Sequence, residues 1–273
     1  MSATEHRLLR GTSLRVRSGS ATHVGRVRDH NEDAVLAAGM VFAVADGMGG
    51  HAAGEVASRL AVEALATLVE HPPAGTDDVA AVLRDANGRI LQSQASHPEQ
   101  HGMGTTVSGL TVVDAGGSEH WVVFNIGDSR VYRLADNRMS LVTRDHSEVR
   151  ELVDAGLLDA AEAATHPMRN VITRSLGSDP APTPDVWVLP PSAGERFVVC
   201  SDGLSNELDD REIMLVARKY ADPQVAADQL VAAAVRAGGR DNVSVVVVAV
   251  DPDDGAGSDD DADTAPRAGF LGS

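Results

Sequence analysis

Five acidic residues recur in one kind of setting in this chain. They are Glu32 in Arg28-Asp-His-Asn-Glu-Asp33, Asp46 in Val44-Ala-Asp-Gly-Met-Gly-Gly50, Asp128 in Ile126-Gly-Asp-Ser-Arg130, Asp202 in Cys200-Ser-Asp-Gly-Leu204 and Asp241 in Gly238-Gly-Arg-Asp-Asn242. Each is expected where an apolar strand gives way to a turn, at a sheet edge open to solvent. Several such carboxylates converging would build an all-oxygen cage for hard divalent cations such as Mg2+ or Mn2+. A cage of that kind brings the pKa of bound water toward neutrality, which is hydrolytic chemistry. A lone Asp-Gly is an ordinary turn. Here two apolar strands, 42–45 and 197–201, both run into Asp-Gly, and the repetition favours the metal reading. Glycine after a ligand also lets its own carbonyl approach a cation closely. Arg28, four positions before Glu32, is placed either to grip a phosphoryl dianion bidentately or to make a surface ion pair.

Other chemistries fit less well. Gly47-Met-Gly-Gly50 lacks the Gly-Lys-Ser/Thr of a nucleotide-binding loop and the spacing of a dinucleotide fingerprint. The ten histidines and one cysteine are read as offering no zinc site. Cys200 has Asn206, not arginine, six residues on, so it is not a tyrosine-phosphatase nucleophile, and no Gly-x-Ser-x-Gly elbow is present. The lone cysteine excludes an internal disulfide and fits a reducing compartment.

The elements that must hold these residues follow from pattern. Residues 40–45 read as a buried strand, 55–69 and 77–95 as helices, and 105–113, 119–126, 130–135 and 139–143 as hairpin-linked strands. Residues 147–165 look helical and less apolar, and 166–174 reads as an irregular, mobile flap. A strand at 196–201, helices at 209–219 and 223–237, and a wholly apolar strand at 243–250 complete the pattern; that last strand belongs in the middle of a sheet. Central hairpins with helices on either side predict antiparallel sheets covered by helices.

Composition sets limits. The 273 residues suffice for one large domain, and with 3% aromatics its core must rest on Val, Leu, Ile and Ala. A net charge of −17 argues against nucleic acid as a partner. No apolar run reaches the ~18–20 residues needed to span a bilayer, and no signal-peptide core is present, so a cytoplasmic location is expected. Residues 1–20 read as a flexible leader, 21–251 as the catalytic domain, and 252–273 as an acidic disordered tail.

Arg28…Asn-Glu-Asp33, Val44-Ala-Asp-Gly-Met-Gly-Gly-His51, Gly102-Met-Gly-Thr-Thr106, Ile126-Gly-Asp-Ser-Arg130, Cys200-Ser-Asp-Gly-Leu204 and Gly238-Gly-Arg-Asp-Asn242 stand in the order found in the metal-dependent protein phosphatase 2C family. Over roughly residues 20–251 the chain resembles that family's bacterial serine/threonine phosphatase branch, which opposes eukaryotic-like kinases. The resemblance implies an α+β fold, a four-layer α/β/β/α sandwich of two antiparallel sheets flanked by helices, with a two-metal site at one end.

By position, the resemblance has Asp46 bridge two Mn2+ or Mg2+ ions, Gly47 offer its carbonyl, and Asp202 and Asp241 complete the first ion. Glu32 serves the second ion mostly through water, and Asp33 orients water. Asp128, with Asp202, holds a third, weaker ion near Asn170. Arg28 binds the substrate phosphate. Residues 147–174 are the variable flap. The implied partners are phosphorylated proteins and a cognate Ser/Thr kinase, with the enzyme a monomer. Where eukaryotic members carry a histidine as candidate general acid, this chain has Met48, as bacterial relatives commonly do; His51 is a more distant candidate. Two other readings stay open: a catalytically silent docking module, which the complete ligand set argues against, and a phosphatase dedicated to one partner.

Overall fold

The computed structural model describes residues 4–6, 14–49, 53–114, 116–163 and 166–252. In chain order these form β1 (Thr4–His6), β2 (Leu14–His23), β3 (Asp33–Ala38), β4 (Val41–Met48), α1 (Ala53–Glu70), α2 (Thr76–Ser96), β5 (Gly104–Thr105), β6 (Val107–Asp114), β7 (Glu119–Ile126), β8 (Arg130–Ala135), β9 (Arg138–Leu141), α3 (Glu148–Asp154), α4 (Ala160–Ala163), β10 (Asp185–Leu189), β11 (Arg196–Cys200), α5 (Asp202–Ser205), α6 (Asp210–Lys219), α7 (Pro223–Ala237) and β12 (Val243–Pro252). One sheet runs β1-β2-β12-β11-β8-β9 and the other β10-β7-β6-β4-β3, with β5 added to β4. Every pairing between these strands is antiparallel.

The period of two along each strand explains the layering. In β12, Val246, Val248 and Val250 enter the space between the sheets beside Phe42, Val44, Trp121 and Phe197. Val245 and Val247 point the other way, into a layer with Leu230, Ala234 and Ile213 of α6 and α7. A valine-rich strand is therefore what two buried faces demand, and β12 lies between β2 and β11 as expected. In β4, Phe42 and Val44 face the opposite sheet while Ala43 and Ala45 face α1 and α2. The small alanines let the helix layer come close. The result is α/β/β/α: two antiparallel sheets flanked by helices.

Residues 14–20, assigned above to a loose leader, instead form most of β2, paired residue for residue with β12. Their Ser and Gly content has a packing cause. A side chain on Gly19 would sit 2.2 Å from the Gln224 backbone, so small residues are what allow α7 to lie on this strand. Residues 1–3 and 7–13, and 253–273 of the acidic tail, lie outside the described residues. The helical reading of 147–165 resolves into two short helices, α3 and α4. No helix among the described residues is long and apolar enough to cross a membrane.

Candidate metal centre

The acidic residues gather at one end of the sandwich, but not all at strand ends. Asp46 lies inside β4, Asp128 follows β7, and Asp202 opens α5 just after β11. Glu32 and Asp241 precede strands, β3 and β12, rather than ending them. The antiparallel register sets Asp33 directly opposite Asp46. Two like charges at a cross-strand pair are destabilising unless something between them is positive.

Backbone contacts fix this geometry. The Asp46 N–H donates to Thr106 Oγ1 at 3.0 Å, and its carbonyl accepts from Thr105 Oγ1 and the Thr106 N–H, each at 2.9 Å. The Glu32 carbonyl accepts from Gly47 N at 3.1 Å and Ser58 Oγ at 2.6 Å, while the Glu32 N–H donates to Asn242 Oδ1 at 2.8 Å. Asn242 Nδ2 then donates to the carbonyls of Val24 and His30, both at 2.9 Å, pinning the loop that carries Arg28. Asn206 Nδ2 donates to Asp202 Oδ2 at 2.9 Å, and Ser201 Oγ to Asp33 Oδ2 at 2.8 Å. Thr105, Thr106, Ser201, Asn206 and Asn242 were given no role by sequence reasoning. Their signal was present, since all five lie in or beside the quoted motifs, yet a supporting hydrogen bond has no residue type of its own.

Gly47 shows why glycine follows the central Asp. A Cβ there would lie 2.1 Å from the Gly54 carbonyl oxygen and 2.6 Å from that of Glu32, so the start of α1 packs on bare backbone. Gly47→Ala must push α1 or the Glu32 loop away. The expected outcome is a melting temperature lower by about 5 °C or more, with weaker stabilisation by Mn2+, in a thermal melt. An unchanged melt in both conditions would contradict this packing.

The electrostatics point the same way. Burial pushes Asp33 up to about 7, against help from the Ser244 and Ser201 hydroxyls. Burial, then Asp202 and Asp145, push Asp128 up to about 8. Asp46 is held well above the usual range by burial and by Asp33, Asp202 and Asp128 around it, and Asp202 is raised by burial and Asp241. Asp46 and Asp202 lie close enough to perturb each other's ionisation, and two neighbouring carboxylates resist losing both protons. Asp33 Oδ1 is sealed from solvent with no hydrogen-bond partner among the described residues. Arg28 reaches in from the rim, its Nη2 2.7 Å from Asp241 Oδ2, half exposed.

Acids repelling one another around an orphaned oxygen fit a divalent cation. Among the described residues no three His, Cys, Asp or Glu side chains surround a point closely enough to hold an ion by themselves. Beside the acids opens a cleft of 730 Å³, lined among others by Asp128, Asp202, Asp241, Val149, Arg150 and Arg169, a size within the roughly 300–1,000 Å³ of small-ligand sites. Arg169, rather than Asn170, lines it.

His97-Pro-Glu-Gln-His101 does have the four-residue interval of zinc-binding helices, but it straddles a 3-10 turn at Pro98–Gln100, and both histidines are exposed. The His97 Nδ1 lies 3.1 Å from the Ser93 carbonyl instead of facing His101. His51 lies outside the described residues.

Comparison with known proteins places this site in a family. Residues 22–237 match the family model described as protein phosphatase 2C. The chain is 41% identical over 241 residues to the serine/threonine protein phosphatase PstP of Mycobacterium tuberculosis, covering 87% of this chain and 46% of the relative. It thus spans about half the length of that relative. It is 34% identical over 242 residues to the serine/threonine phosphatase stp of Listeria welshimeri, covering 83% of this chain and 93% of the other. Its fold matches the crystal structure of the PstP catalytic domain in complex with two manganese ions, with a TM-score of 0.79 and 37% identity over 87% of this chain and 99% of that one. With the sandwich, the ordered motifs and the acid cluster agreeing over most of its length, the chain belongs to the protein phosphatase 2C family.

Proposed function

We propose that this chain hydrolyses phosphoserine and phosphothreonine in proteins, opposing a Ser/Thr kinase in the cytoplasm as a monomer. The observation that carries the reading is the cluster of Asp33, Asp46, Asp128 and Asp202, acids whose raised pKa values call for cations. Asp46, Gly47, Asp202 and Asp241 would hold one Mn2+ or Mg2+, Asp46 and Glu32 a second, and Asp128 with Asp202 a weaker third. Such ions, when bound, supply a nucleophilic water at neutral pH and neutralise the phosphoryl oxygens.

The chain's own residues do the rest. Asp33, fixed by Ser201, orients water in line with the phosphorus. Arg28, set beside Asp241, receives the phosphate dianion through its remaining N–H groups. As the P–O bond to water forms, the P–O bond to the serine or threonine oxygen breaks, and that oxygen takes its proton from water, since Met48 offers none. Positioning and charge dominate such transfers.

The test is release of phosphate from a phosphothreonine peptide in Mn2+, Mg2+ or EDTA. Cation-dependent hydrolysis is expected, and a folded protein inert in every cation would overturn the reading. Arg28→Ala should raise KM about tenfold while kcat changes less than about threefold, because the guanidinium holds phosphate in ground and transition states alike. An unchanged KM would remove Arg28 from that role.

A further inference from the structure

We propose that His146 and Asp185 form a latch tying both ends of the flap to the turn that carries Asp128, and that they act as positioning residues for peptide substrates. The inference rests on the phosphatase reading for its kinetic consequence and on geometry alone for the latch itself. His146 is buried, 3% exposed. Its backbone N–H donates to the Gly127 carbonyl at 2.9 Å, and the Gly127 N–H donates back to its Nδ1 at 3.1 Å. Gly127, at φ 106°, is the bend on which Asp128 turns out of β7.

Because Nδ1 accepts from Gly127, the ring proton must sit on Nε2. That nitrogen is buried and lies 3.2 Å from Asp185 Oδ2, a close polar contact whose angle falls short of a hydrogen bond, and it has no hydrogen-bond partner among the described residues. The other Asp185 oxygen accepts from Arg174 Nη1 at 3.0 Å, at the chain's exit from the flap. The His146 carbonyl meanwhile accepts the Thr173 N–H at 2.9 Å, and Glu148 N donates to the Val171 carbonyl, also at 2.9 Å. The Ser147 to Ile172 bridge lies between them. Entry strand, exit strand, metal-side turn and β10 therefore meet on one imidazole and one carboxylate. Asp145, next in the chain, is separately committed to Arg130, so the turn is braced from both sides.

A latch of this kind should matter for a substrate long enough to touch the flap and little for one that fits beside the acids alone. The experiment compares wild type, His146→Ala, Asp185→Ala, the isosteric Asp185→Asn and the double alanine variant, as full-length chains in Mn2+. Substrates are a phosphothreonine peptide and p-nitrophenyl phosphate, and hydrogen exchange is followed at Glu148–Asp154 and at 168–173 against β12. Each variant is expected to raise the peptide KM about tenfold and to change p-nitrophenyl phosphate turnover less than about threefold, with the double alanine variant no worse than the singles. Flap amides should exchange about tenfold faster while β12 amides hold their rate. Equal losses on both substrates, additive losses in the double variant, or flap exchange unchanged would each overturn the latch. A wild type inactive on both substrates sinks the phosphatase reading instead, and the exchange data still decide the latch.

Discussion

Asp46→Asn should abolish turnover, by a thousandfold or about that, in a protein that is at least as stable as wild type when cations are absent. The loss follows from position: Asp46 is the carboxylate that faces Asp33 across the β3–β4 pair and Asp202 across the sheets, so no neighbour can replace it. The stability gain follows from charge. Asp46 is raised by burial and by four surrounding acids, so ionising it costs folding free energy that an isosteric amide does not. Removing it should raise the cation-free melting temperature by about 2–4 °C for each kcal/mol relieved. Phosphate release and thermal melts, both with and without Mn2+, check the two halves together. A folded variant retaining a tenth of wild-type activity would falsify the bridging role; a variant that simply unfolds would show Asp46 to be structural.

Much of this was legible in the sequence because the informative residues are constrained twice. Asp46 must be acidic for charge and must be followed by Gly47 for packing against Gly54, so the pair stands out as Asp-Gly. The strands that were read correctly, such as β4, β7 and β12, are those whose two faces both meet apolar layers. β2 was missed because its packing partner is the backbone of α7, which selects small residues and leaves no hydrophobic alternation to read. β10 was missed as a five-residue edge strand, partly exposed along its whole length, after a proline-rich approach. The hydrogen-bonded supports of the site share a different cause. Asn242 and His146 act through contacts to backbone atoms distant in sequence, and nothing local marks where those atoms will be.

Without divalent cations, the folded protein should lose stability as pH rises from about 5 to about 8. The sign comes from Asp33 and Asp128, whose folded pKa values are raised to about 7 and about 8 from an ordinary 3.8. Between the ordinary and raised values the native state keeps protons that the unfolded chain has released. Raising the pH therefore favours unfolding until both carboxylates have ionised in the fold as well. Cations reverse this dependence. They bind the deprotonated acids, so Mn2+ should barely move the melting temperature near pH 5. Near pH 8, at about a hundred times its dissociation constant, it should raise stability by about 2.7 kcal/mol, or about 5–10 °C. Melts across that range, with EDTA or Mn2+, separate the ideas cleanly: a Mn2+ shift independent of pH would mean that the ion binds elsewhere. The same acids that make the empty cluster unfavourable at neutral pH are thus the reason it selects a divalent cation, and the raised pKa values record that strain in the protein alone.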